Sequence, residues 1–169
     1  MPRRERIAKT NAMRELERGG VSYTAHEHEE GDLSRGLGLR MAEEAGEDPA
    51  SQFKTLVCVA PGGGHVVCCL PVGEELDFKK AAAAAGEKSL SLLPTRELEA
   101  TTGYVRGGCT PVGMRRRFPT LIDETAQLFE RIGISGGRRG LGLRVNPEEL
   151  AALIGATSAG SETSSEVVC

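Results

Sequence analysis

Gly103-Tyr104-Val105-Arg106-Gly107-Gly108-Cys109-Thr110-Pro111-Val112-Gly113, followed at once by Arg115, Arg116 and Arg117, joins glycines, a proline and a cationic run in one short stretch. That composition suits a backbone-lined anion pocket, because a residue without a Cβ lets peptide N–H groups approach a ligand closely. The pattern returns as Ser135-Gly136-Gly137-Arg138-Arg139-Gly140-Leu141. Two glycine turns that each carry arginines can frame one ligand from two sides, and a nucleotide end has the right charge.

Other residues of chemical interest are few. Lys54 stands at the start of an apolar run, Phe53 and Leu56 to Ala60, which puts its ammonium at the border of the core. Either its stem lies along apolar surface with the head in water, or the charge faces a ligand. His26 and His28 share a face of an expected strand. With no HExxH or other spaced ligand set, a metal site is not suggested. His65 reads as ordinary surface. Ser135 lacks the GxSxG elbow of a nucleophile and fits a tight turn better. No Walker A motif and no GxGxxG occur, which argues against nucleotide hydrolysis and dinucleotide binding, and no cofactor is implied.

The charge distribution narrows the class of partner. Residues 101–144 hold eight arginines against Asp123, Glu124 and Glu130, a local +5 within a net charge of −3, which leaves −8 for the remainder. An acidic chain with one basic patch fits a protein that holds one end of a nucleic acid better than one that coats a duplex. At 169 residues and 39% hydrophobic content the chain reads as one domain with a sizeable core. No apolar run approaches the ~20 residues of a membrane span, and the start leads into a charged helix, so no membrane role and a cytoplasmic location are expected. Cys58, Cys68, Cys69, Cys109 and Cys169 are odd in number with no CxxC pair, so buried free thiols are expected rather than disulfides or zinc ligands. Cys169 is the last residue and does not match the prenylation pattern.

The elements that must position these residues follow from periodicity and capping signals. Residues 4–18 read as a helix ended by Gly19-Gly20, and Val21 to His26 alternates like a strand. Ser34 starts a possible helix through about Glu44. Phe53–Ala60 and His65–Leu70, joined across Pro61-Gly62-Gly63-Gly64, predict a hairpin. Asp77 caps a helix to Gly86, Ser89–Leu93 is a short strand, and Thr95–Thr101 a helix that delivers the chain into the first glycine loop. Strands follow at Thr120–Asp123, Arg131–Ile134 and Leu141–Val145, with a helical segment near Glu124–Leu128. Asn146-Pro147-Glu148-Glu149 starts a helix to Ile154 that stops at Gly155. The serine- and threonine-rich end from residue 156 reads as a frayed tail. The fold class is α+β, one domain with a mixed, curved sheet and peripheral helices, the domain spanning 1–158 and the tail 159–169.

Taken in order, Phe53-Lys54-Thr55-Leu56, Gly103-Tyr104, Gly107 to Gly113 and Ser135 to Leu141 resemble the YbaK/EbsC family. Its members are free-standing cysteinyl-tRNA(Pro) deacylases similar to the editing insertion domain of bacterial prolyl-tRNA synthetases. The resemblance runs from about residue 7 to 158. It implies hydrolytic removal of a wrong amino acid from tRNA, with the family lysine on Lys54 and the Gly-Gly-x-Ser-Pro loop on Gly107 to Pro111, where Thr110 replaces the serine and keeps the hydroxyl. Lys54 and Gly108 are the implied catalytic residues. Thr55, Gly107, Cys109, Thr110, Pro111, Ser135, Gly136, Gly137 and His28 are the implied substrate contacts, and Arg115, Arg116, Arg117, Arg138 and Arg139 the RNA contacts.

The chain departs from the family where His28 stands in place of a frequent tyrosine and Gly142 in place of an acidic or polar residue. In cysteine-selective members the substrate's own thiol is thought to attack the ester, which matches the lack of a Ser–His or Cys–His arrangement here. The resemblance also implies prolyl-tRNA synthetase as a partner, since no anticodon-reading segment is present. Deacylation of alanyl-tRNA(Pro) by water, and a non-catalytic tRNA- or synthetase-binding module, are the alternative readings.

Overall fold

Thr10 is extended (φ −94°, ψ 168°) and its hydroxyl accepts the Met13 N–H, so helix α1 (Asn11–Arg18) starts there. The computed structural model describes residues 7–28 and 47–160. Residues 7–10 are not helical, which makes α1 shorter than the apolar pattern predicts: a capping hydroxyl ends the helix at Thr10 regardless of the apolar residue before it. The helix expected from Ser34 lies outside the described residues.

After α1 come β1 (Tyr23–Glu27), β2 (Phe53–Val59), β3 (His65–Pro71), α2 (Phe78–Ala85), β4 (Ser91–Leu92) and α3 (Thr95–Thr102). Then follow β5 (Thr120–Asp123), a 3-10 turn (Glu124–Leu128), β6 (Ile132–Ser135), β7 (Leu141–Val145), α4 (Pro147–Ile154) and β8 (Thr157–Ala159). The caps act as the sequence predicts. Asp77 accepts from Lys80 N–H, Asn146 accepts from Glu149 N–H, and Gly86, Gly103 and Gly155 close α2, α3 and α4 with positive φ.

The strands form two sheets. The mixed sheet has the order β4-β2-β3-β5-β8, with β5 parallel to both β3 and β8, and the second is antiparallel with the order β1-β7-β6. A parallel bridge between Gln52 and Gly133 links them, and it is tight: a Cβ on Gly133 would overlap the Gln52 side chain. The β2–β3 hairpin is apolar on both sides because both faces are covered. Phe53, Val57, Val67 and Cys69 enter the core shared with α1, β6 and β7, whereas Cys58, Val66, Cys68 and Leu70 pack against Ala81 and Ala82 of α2. Cys58, Cys68, Cys69 and Cys109 are buried free thiols.

The chain end differs from expectation. Thr157–Ala159 pairs with β5 and Ala159 is buried, so order extends past residue 158. Small polar residues carry no β signal in sequence, but backbone pairing does not need their side chains. Arg144, buried on β7, draws the entry of β2 onto the second sheet: it donates to Ser51 Oγ (3.1 Å) and the Arg131 carbonyl (3.2 Å) and pairs with Glu47 at 3.0 Å. Arg144, Ser51, Arg131 and Glu47 line a cavity of about 330 Å³ at this junction.

Thr10 also donates to the Gly136 carbonyl at 2.6 Å, tying the start of α1 to the second glycine turn. Thr10→Ala removes both the cap and this tie, and should lower stability by about 1–2 kcal/mol in denaturant unfolding. Thr10→Ser should recover most of the loss.

Candidate functional site

Lys54 opens into a cavity of about 700 Å³ that it shares with His28, Thr55, Gly107, Cys109 and Ser135. Strand β2 carries it there, and its ammonium donates to the carbonyls of Val72 (3.4 Å) and Glu74, which follow β3. The lysine head is therefore not simply a solvated strand end. Two carbonyl dipoles fix where the charge stands, in a space whose lining joins apolar Phe53, Val57, Leu93 and Leu98 to charged Glu75 and Arg106. Thr55 faces the same space, its hydroxyl 3.8 Å from the Cys69 sulfur.

The two glycine turns meet each other rather than standing on opposite sides of the cavity. A Cβ on Gly108 would lie 2.9 Å from Arg138 Cα, and Arg139 Nε donates to the Arg106 carbonyl at 2.9 Å. Gly108 does not line the cavity, and its N–H donates to the Val105 carbonyl at 3.0 Å. Within the turn that N–H is taken up by the Val105 carbonyl, and the glycine is needed because a second backbone passes against it. Gly107, with φ 87°, and Cys109 are the loop residues that face the cavity.

Other predicted contacts also fall elsewhere. Thr110 and Pro111 are buried behind the loop, and the Thr110 hydroxyl has no hydrogen-bond partner. Gly136 gives its N–H to the Leu141 carbonyl and receives Thr10 on its own carbonyl, while Gly137 (φ 101°) donates to Ser135 Oγ at 3.3 Å. Both glycines close the turn, and Ser135 alone of the three lines the cavity. Arg138 pairs with Glu27 at 2.9 Å. Arg115, Arg116 and Arg117 are exposed and outside the cavity, Arg115 lying against Gly103 and Arg117 3.8 Å from Glu15. His65, read as ordinary surface, is half-buried with its ring 5.3 Å from that of Phe118.

Several cavity residues carry no signal in sequence. Gln52, Glu75 and Leu92 arrive from segments with ordinary local patterns. Arg106 could have been found, since it lies inside the first glycine stretch. Burial pushes the Cys109 and Cys69 thiols up to about 12, so neither is a ready nucleophile. Among the described residues no three His, Cys, Asp or Glu side chains are grouped to hold a metal.

Two substitutions test the loop. Gly108→Ala forces a methyl into the Arg138 backbone and should cost about 1–3 kcal/mol of folding stability, measured by urea unfolding. Thr110→Val removes a buried hydroxyl whose isolation costs roughly 1–3 kcal/mol, so the variant should be as stable as the parent or more so. A lower unfolding midpoint for Thr110→Val would show that the hydroxyl has a partner.

Comparison with known proteins gives the family. The family described as the aminoacyl-tRNA editing domain matches residues 39–153. A candidate Cys-tRNA(Pro)/Cys-tRNA(Cys) deacylase, EbsC of Enterococcus faecalis, is 42% identical over 155 residues, covering 90% of this chain and 93% of that protein. A crystal structure described as a candidate trans-editing enzyme for prolyl-tRNA synthetase superposes with a TM-score of 0.80 at 25% identity, covering 94% of this chain and 100% of the other. A scaffold protein used for epitope backbone grafting gives 0.79 at 26% identity, covering 91% and 96%. The chain belongs to the aminoacyl-tRNA editing domain family, as one of its YbaK/EbsC proteins.

Proposed function

We propose that the protein is a trans-editing deacylase that removes cysteine from Cys-tRNA(Pro) by cleaving the aminoacyl ester. The observation that carries this reading is a cavity in which Lys54, its ammonium held by two backbone carbonyls, stands beside the Gly107–Cys109 turn with Arg106 also on the wall, while burial keeps the Cys109 thiol protonated. The similarity to EbsC supports the substrate class.

In this reading Lys54 holds the phosphate or ribose side of the terminal nucleotide, and the Gly107 turn lies along the ester. The substrate sulfur, as thiolate, attacks the ester carbonyl carbon, the bond from that carbon to the ribose oxygen breaks, and the proton given up by the thiol ends on the ribose hydroxyl. The product is a small cyclic thioester, which water then opens to free cysteine. The protein's part is to hold sulfur and carbonyl together, and such intramolecular attack needs no catalytic base with a shifted pKa. The exposed Arg115, Arg116 and Arg117, with Arg139, supply charge for the acceptor stem beyond the cavity. Prolyl-tRNA synthetase is the proposed partner, which would supply the selectivity for tRNA(Pro).

Among the described residues no helix is long and apolar enough to cross a membrane. Lys54→Ala should lower kcat/KM for Cys-tRNA(Pro) by about 10²-fold or more while the fold persists, and Lys54→Arg should recover little, because a larger planar guanidinium with delocalised charge replaces a compact point charge. Cys109→Ser should remain active, whereas substrate alkylated on sulfur should be cleaved far more slowly. Equal rates on native and S-alkylated substrate would sink the thiol mechanism in favour of activated water and an alanyl-type substrate.

A further inference from the structure

His26 and Gly142 face each other directly across the β1–β7 pairing, and Ser135 faces Gly142 from the other side on β6. One row across the second sheet thus reads His26, Gly142, Ser135, and the last two line the cavity with Lys54. A Cβ built on Gly142 would lie 2.5 Å from His26 Nε2 and 2.9 Å from its Cε1. Gly142 is not among the glycines of positive φ, so its backbone does not require glycine. A Cβ there would instead meet the far end of the His26 ring, which must move to admit it. The imidazole takes the space in which a side chain at 142 would stand, and its centroid lies 6.3 Å from that of His28, which also lines the cavity.

We propose that His26 is a specificity-determining residue: its imidazole, filling the side-chain space of Gly142, walls the cavity on that side and limits the size of the acyl group admitted. A wall delivered from the neighbouring strand differs from one carried by residue 142 itself. It makes positions 26 and 142 a single volume, in which a side chain at either place excludes one at the other. His26 is half-buried, with His28 beside it and Arg144 and Glu47 on the adjoining β7 and β2-entry segments as the charged groups that act on it.

The proposal rests on the deacylase reading only for its choice of substrates, and a cycle of Gly142→Ala, His26→Ala and the double variant tests it with two readouts. In thermal melting, Gly142→Ala should lower Tm and the double variant should regain most of the loss. In deacylation, His26→Ala should raise kcat/KM for leucyl-tRNA(Pro) relative to cysteinyl-tRNA(Pro) by about 10-fold or more, the scale on which pockets discriminate by size. The double variant should shift that ratio less than His26→Ala, because the new methyl takes back part of the space. Additive losses in Tm would overturn the shared volume, and an unchanged leucyl-to-cysteinyl ratio in His26→Ala would overturn the wall. If the parent protein cleaves no aminoacyl-tRNA, the deacylase reading fails, and the selectivity role fails with it. The melting cycle then still decides whether the two positions share one volume.

Discussion

Gly108 and Arg138 stand so close that no side-chain atom fits between them, and the site depends on this contact. It brings the loop after α3 against the turn between β6 and β7, and Arg139 on the Arg106 carbonyl and Thr10 on the Gly136 carbonyl secure the same junction from its two ends. Tyr104 braces it from within, its buried hydroxyl donating to the Val112 carbonyl at 2.8 Å. Gly108 is therefore used for packing backbone against backbone, while Arg106, Gly107, Cys109 and Ser135 look out from the junction into the cavity. A site built this way is set by rigid main chain rather than by mobile side chains.

The opposite wall has a different origin. The β2–β3 hairpin is buried on both faces, so its position is dictated by two cores at once. Lys54 and Thr55 lie where this strand leaves the double burial and borders the cavity, and the Val72 and Glu74 carbonyls hold the lysine charge there at modest desolvation cost. Partial burial of the Lys54 and Arg106 charges strengthens any attraction to a phosphate, while burial keeps the Cys69 and Cys109 thiols protonated. The same burial thus places a positive charge and withholds a protein nucleophile.

Much of this was legible beforehand where the determinant is local. Asp77, Asn146, Gly86 and Gly155 act on backbone groups a few residues away, so α2 and α4 could be read from cap to cap. The hairpin was legible because an apolar run interrupted by three glycines has few other solutions. The start of α1 and strand β8 were misread. Thr10 competes with the apolar pattern through one hydroxyl, and β8 owes its order to pairing with β5 rather than to its own residues.

The site divides along the same line. Family motifs in sequence located Lys54, Thr55, Gly107, Cys109, Ser135 and His28, all of which the fold gathers around one cavity. Gly108, Thr110, Gly136 and Gly137, implied by the same motifs, stand behind that lining, and sequence does not separate them from it because a glycine that admits a ligand and a glycine that admits another backbone look alike there. Residue types and their short-range spacing determined the elements and the chemistry available to them. The pairing of distant strands and loops decided which atoms stand against Gly108 and Gly142, since competition for one volume between segments far apart in the chain leaves no trace in either segment alone.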